Sequence, residues 1–199
     1  MNRKAVDRKD KRRSIAYVGI DEVGRGPLAG PMVIAAVWGI SASDLAGIRD
    51  SKKLSPKKRE AWYKVIRQKG MYRVVSIPAH TIDKIGISRV ARSAIERLMK
   101  GMDPLVVEIL LDGGLHAPRE YRQKTIIKGD EKIPLIAAAS IMAKVTRDRW
   151  MVRISRRYPK YQFDTHKGYG TAAHIAVIRA EGLSKIHRKT FCKNFLLHK

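Results

Sequence analysis

The 199-residue chain carries 42 Lys and Arg against 18 Asp and Glu, a formal net charge of +24, and 44% of it is apolar. That length and apolar content suit one folded domain with a real core, and so large a positive excess points to a polyanion, with nucleic acid the natural partner. No apolar stretch approaches the roughly 20 residues needed to span a bilayer, and the single cysteine, Cys192, excludes internal disulfides and cysteine-based zinc sites and fits a reducing, cytoplasmic setting.

Residues 1–14 hold Arg3, Lys4, Arg8, Lys9, Lys11, Arg12 and Arg13 with almost nothing to bury, so a basic flexible arm is expected ahead of a domain over 15–199. Two apolar runs, Ile15–Ile20 and Met32–Ile40, flank a glycine-rich turn and predict a hairpin-like start to a sheet. Ser55 and Pro56 have the chemistry of an N-cap and a first helical position, and Trp62, Val65 and Ile66 follow at helical spacing. Tyr72–Ile77 reads as a third strand, and residues 87–99 place Ile87, Val90, Ala91, Ala94, Ile95 and Leu98 on one helical face. Strands are expected at Leu105–Leu111 and Lys124–Lys128. An Ala-rich helix is expected from Leu135 to Val145, continuing through Arg149, and a last helix from about Ala172 to Ala180. This order predicts an α/β domain on a mixed sheet flanked by helices.

Asp21 and Glu22 stand where the first apolar run meets the glycine turn, and burying neighbouring anions is costly unless a cation neutralises them. Strand side chains alternate faces, so the two are expected to share a centre only if the chain leaves strand geometry near Glu22. Asp112 and Asp130 also follow predicted strands beside glycines. Four such carboxylates suit Mg²⁺ or Mn²⁺, which prefer oxygen ligands and retain sites for water and phosphate. Two ions there would let an acidic cluster in a basic protein receive a phosphodiester. Gly24 and Gly26 allow close backbone approach, and Arg25 offers a fork for phosphate. An Asp-Gly pair after a strand is by itself usually a turn, so the set carries the argument and no single member does. The glycine spacing from Gly24 to Gly30 does not open a helix as a dinucleotide loop would, and the six histidines form no H-E-x-x-H zinc helix.

The run Asp21-Glu22-Val23-Gly24-Arg25-Gly26-Pro27-Leu28-Ala29-Gly30-Pro31 resembles the signature of the bacterial ribonuclease HII family. Further blocks are similar and in the same order: Asp50-Ser51-Lys52-Lys53-Leu54-Ser55, Leu111-Asp112-Gly113, Lys128-Gly129-Asp130, Ala137 to Arg149, and His166-Lys167-Gly168-Tyr169-Gly170-Thr171. The resemblance covers residues 15 to 191. It implies a ribonuclease H-like fold with a C-terminal helical portion. It implies endonucleolytic cleavage of RNA in RNA–DNA hybrids and incision at single ribonucleotides in duplex DNA, leaving 5′-phosphate and 3′-hydroxyl ends. It further implies that Asp21, Glu22, Asp112 and Asp130 are the metal-binding catalytic carboxylates, that Gly24, Arg25 and Gly26 read the ribose 2′-hydroxyl and its phosphate, and that Tyr169 packs at the RNA-to-DNA junction. Lys52, Lys53, Lys144 and Arg147 are expected phosphate contacts, and Asp148 an ion-pair residue on a helix surface. A monomer is expected. The rival readings are another nuclease or resolvase of the same fold, and a non-catalytic nucleic-acid-binding protein, in which loss of Asp21 would be silent.

Overall fold

A computed structural model describes residues 16–48, 53–105 and 107–196. The basic arm over 1–14, Ile15 and Lys52 lie outside the described residues. In chain order the elements are β1 (Ala16–Val23), β2 (Met32–Trp38), α1 (Pro56–Lys69), β3 (Met71–Ile77), α2 (Ala79–Ile85), α3 (Ile87–Met99), β4 (Val107–Asp112) and β5 (Arg122–Ile126). They continue with α4 (Gly129–Lys132), α5 (Pro134–Ser155), α6 (Phe163–His166), α7 (Ala172–Glu181) and α8 (Lys189–Leu196).

The strands form one mixed sheet in the order β3-β2-β1-β4-β5, with β1 at its centre. β2 is antiparallel to both β1 and β3, whereas β4 runs parallel to β1 and β5 parallel to β4. Both faces of β2 are apolar because both are covered. Met32, Ile34 and Ala36 pack with Val90, Ala94 and Leu98 of α3, and Val33, Ala35 and Val37 pack with Ile66 of α1 and the Ala137–Ala139 run of α5. The result is a helix–sheet–helix sandwich. Gly19 lets α5 sit directly on β1, since a methyl there would collide with the Leu135 carbonyl. Ser55 caps α1 as its sequence predicts, its Oγ accepting from the Lys58 amide at 3.3 Å, and Pro56 opens the helix.

Several boundaries differ from the sequence expectations, each for a local reason. β1 continues through Val23, which pairs with Val33, so strand geometry does not end at Glu22. β2 stops at Trp38, where Gly39 turns at φ 63°. β4 begins at Val107 because Leu105 is held in a turn by Asp103 Oδ1, 3.0 Å from its amide. β5 lies two residues earlier than expected, since Ile127 is exposed and Lys128 adopts φ 55°. Asp130 therefore sits in the first turn of α4, not at a strand end. α5 runs on to Ser155, and α7 is followed by α8, whose Cys192 is buried.

Candidate active site

The pairing pattern opens a notch in the sheet. The β1–β4 ladder ends at Ile20–Leu111, while the β1–β2 ladder continues to Val23–Val33. The last three residues of β1 are thus paired on one edge only, and the free edge faces the end of β4. Asp21 and Asp112 stand there, each one residue beyond the final β1–β4 pair.

Asp21 is 4% exposed and lies on the α5 side of the sheet with Gly19. Its Oδ1 accepts from the Glu22 amide at 2.7 Å, which turns the carboxylate along the strand toward its successor, and Ser140 of α5 also hydrogen-bonds to it. Alternation sends Glu22 to the other face, yet its longer side chain meets the Asp21 carboxylate at the open edge. The expectation that the strand must break for the two to meet is therefore corrected: the bend lies in the side chains. Burial first, then the Glu22 and Asp112 charges, push the Asp21 carboxyl well above its ordinary range, against the Ser140 and amide hydrogen bonds. Glu22 is also pushed up, by burial and by Asp112, although Arg25 opposes the shift. Arg25 NH1 reaches Glu22 Oε1 at 3.4 Å, whereas Glu22 Oε2 is buried with no partner. Asp112 Oδ1 accepts from the Gly129 amide at 2.6 Å, which ties α4 to the notch. Asp130 is next in sequence and 3% exposed, and it borders a depression shared with Lys53 and Lys132.

Among the described residues no group of three or more His, Cys, Asp or Glu side chains is arranged as a ready metal cage. The residues nevertheless fit a hard cation. Asp21, Glu22 and Asp112 are an all-oxygen set in electrostatic contact, and a buried, unpartnered Glu22 oxygen is an acceptor awaiting a positive ligand.

The loop after β1 is braced from behind. Gly24 has φ 93°, and an added Cβ would lie 2.6 Å from Arg147 Nε and 2.7 Å from the Pro31 carbonyl. Gly26 is different: its φ is unexceptional and nothing lies within 4 Å of an added Cβ. Neither strain nor packing asks for glycine there. Tyr169 lies close by, 40% exposed, with the Arg147 guanidinium carbon 5.6 Å from its ring centroid.

Of the expected phosphate contacts, Lys53 is largely exposed and 3.5 Å from Glu131. Lys144 pairs with Asp148 at 3.0 Å, the helix-surface ion pair expected for Asp148. Arg147 is a correction. It has no exposed surface, and it donates from Nε to the Pro31 carbonyl at 2.9 Å and from NH2 to the Ala29 carbonyl at 3.1 Å, so it holds the loop and does not reach for solvent-borne phosphate. Two residues at the site went unassigned from the sequence. Ser140 is a small polar break in an Ala run, a signal that was available. Arg188 is one basic residue among 42 Lys and Arg and carries no such mark.

A family model described as ribonuclease HII matches residues 18–194. A ribonuclease HII of Aliarcobacter butzleri is 48% identical over 173 residues, covering 87% of this chain and 88% of that protein. Among solved structures, ribonuclease H2 of Pyrococcus horikoshii superposes with a TM-score of 0.74 at 24% identity, covering 91% of this chain and 97% of that one. The ribonuclease HII of Archaeoglobus fulgidus, solved in complex with PCNA, gives 0.70 at 27% identity, covering 87% and 94%. With the family pattern matched from β1 into α8 and a relative of this identity aligned along most of its length, the chain belongs to the ribonuclease HII family.

Proposed function

We propose that the notch between β1 and β4 hydrolyses the RNA strand of RNA–DNA hybrids and incises duplex DNA on the 5′ side of a single embedded ribonucleotide. Ribonuclease H activity, a hydrolase and endonuclease chemistry, goes with the family. The observation that carries the reading for this chain is the cluster of Asp21, Glu22 and Asp112, three mutually repelling carboxylates on a protein of net charge +24. A basic protein assembles and buries such a cluster at a cost, and a phosphate-processing cation site is the function that needs it.

Asp21, Glu22 and Asp112 would hold Mg²⁺ or Mn²⁺, with Asp130 as a fourth carboxylate from α4. When bound, the cation neutralises the acids and supplies Lewis acidity toward a phosphodiester. The remaining work falls to the chain's own groups. Ser140 and the Glu22 amide fix the Asp21 carboxylate, and the Gly129 amide fixes Asp112. Arg25 and Gly26 face solvent at the mouth of the notch, where backbone groups have access to a ribose 2′-hydroxyl, the feature that separates RNA from DNA. Tyr169 offers its exposed ring to the neighbouring sugar. Beside it, a cleft of about 660 Å³ lined by Arg59, Lys144, Arg149, Arg153, Arg156 and Lys167 suits a sugar–phosphate backbone.

The test is incubation of a continuous RNA–DNA hybrid, and of a DNA duplex with one ribonucleotide, with Mg²⁺ or Mn²⁺ and separately with chelator. Both substrates should be cut to 5′-phosphate and 3′-hydroxyl ends only with metal. Asp21→Asn and Asp112→Asn should each abolish turnover while duplex binding persists. Near-normal turnover of either variant at saturating metal would remove the acids from the chemistry.

A further inference from the structure

Two arginines far apart in sequence converge behind the loop that joins β1 to β2. Arg147 of α5 and Arg188, just before α8, have no exposed surface. Arg188 donates from NH2 to the Gly24 carbonyl at 2.6 Å, from NH1 to the Arg25 carbonyl at 2.9 Å, and from Nε and NH2 to the Gly30 carbonyl at 3.1 and 3.0 Å. Arg147 takes the carbonyls of Ala29 and Pro31. Neither guanidinium forms an ion pair with a carboxylate among the described residues. Asp83, the acid that most favours the Arg188 charge, is occupied by the backbone amides of Lys189 and Thr190 and by the Thr190 hydroxyl. Arg147 NH1 is buried with no partner. Burial, then the Arg147 charge, lower the Arg188 guanidinium to about 10, which still leaves it charged at neutral pH.

Two uncompensated cations in an interior are expensive, and apolar residues of similar volume would ordinarily serve stability as well. Their geometry supplies the reason for keeping them. In a trans peptide the carbonyl and the following N–H point in opposite directions. Drawing the Gly24 and Arg25 carbonyls inward therefore turns the Arg25 and Gly26 amides outward. Among the described residues neither amide donates to a protein acceptor, and both residues are exposed. We propose that Arg188, assisted by Arg147, is the positioning residue that aims the Arg25 and Gly26 amides at an oxygen of the substrate. The buried positive charge behind them biases the pair toward an oxygen anion of the adjoining phosphate. A lysine cannot substitute, because one ammonium cannot span three carbonyls in the plane that a guanidinium fork covers.

This inference rests on the reading of Gly24-Arg25-Gly26 as the ribose and phosphate reader, and the experiment separates the two. The full ¹⁵N-labelled chain is titrated in chelator with a duplex containing one ribonucleotide and with the same duplex made wholly of DNA. In the wild-type protein the Arg25 and Gly26 amide resonances should move with the ribonucleotide duplex. In Arg188→Lys, which keeps the charge, and in Arg188→Gln, which keeps neutral donors, these shifts should be lost while sheet resonances stay in place. With Mg²⁺ both variants should fall roughly 10–100-fold in kcat/KM, the scale of a small misplacement of a binding group, with the metal concentration for half-maximal rate unchanged. No wild-type response to either duplex would overturn the loop reading and the inference together. A wild-type response that survives intact in both variants, or an Arg188→Lys protein of full activity, would overturn the positioning role alone. Resonance changes spread over the whole domain would likewise reduce Arg188 to a packing residue.

Discussion

The two glycines that flank Arg25 look alike in sequence and have opposite reasons for being glycine. Gly24 sits at φ 93° with Arg147 and Pro31 against it, whereas Gly26 has ordinary backbone and open space. Gly24→Ala should therefore cost about 1–3 kcal/mol of stability from backbone strain, more if Arg147 is displaced. Gly26→Ala should leave stability unchanged or raise it by about 0.4–1 kcal/mol, through the less flexible unfolded chain. Its incision rate should nonetheless fall at least about tenfold, because the new methyl stands where substrate approaches. Urea melts and initial rates on both variants decide this, and a fully active Gly26→Ala would leave the position unexplained. Local pattern made the acids and these glycines legible. The direction in which each glycine is crowded depends on Arg147 and Arg188, residues 123 and 164 positions from Gly24, and no local pattern carries that.

At the scale of elements, three short segments after α5 are held by imidazoles. The Ser184 amide donates to His187 Nδ1 at 2.9 Å, so His187 Nε2 carries the proton and donates to His174 Nε2 at 3.0 Å. His174 Nδ1 in turn donates to the Tyr169 carbonyl at 2.8 Å, and His166 stacks on His174 with ring centroids 4.2 Å apart. The relay requires neutral rings. Burial lowers both His174 and His187 to about 4, with the His166 and His174 charges respectively adding to the effect. The unfolded chain takes up protons below about pH 6.5 and the folded one does not until about pH 4, so stability is full above pH 6.5 and is lost as pH falls through that window. At about 1.4 kcal/mol per pH unit the loss approaches roughly 3 kcal/mol for the first proton that the pair takes up. His174→Asn, whose amide still donates toward Tyr169, should flatten the dependence in denaturant melts between pH 7.5 and 4.5, and an unchanged slope would exonerate the relay. Short elements were the least legible part of the chain, although α7 was expected to within one residue. α2, α6 and the 3-10 turn Pro159–Tyr161 are too short for a periodic pattern to accumulate, and α8 shows its apolar side only through Phe191, Cys192 and Phe195. α3 was plain because its apolar stripe is long and is answered by one face of the sheet, and α5 because its Ala-rich run from Ile136 to Ala143 is apolar but for Ser140 and buried, packing on the other face.

For the whole molecule, the sheet's central strand delivers Asp21 to an open edge, helices cover both faces of the sheet behind it, and the chain carries a net +24. Among the described residues no helix is long and apolar enough to cross a membrane. The long-range attraction of the surface is indifferent to sequence, so removing residues 1–13 should weaken binding to all duplexes about equally. The salt dependence of binding should then become shallower by roughly 0.9 in log–log slope for each phosphate that the arm no longer neutralises. Binding isotherms between low and moderate salt measure it, and an identical slope would make the arm a bystander. The brace behind the loop has a further consequence, in time and not in space. Arg188 reaches a carbonyl 164 positions earlier, and at synthesis rates of roughly 5–20 residues per second the loop waits about 8–33 s for it. A nascent chain that has not yet reached Arg188 lacks the donor that holds the Gly24, Arg25 and Gly30 carbonyls. On the proposed reading, synthesis of Arg188 is thus a late step in arming the loop.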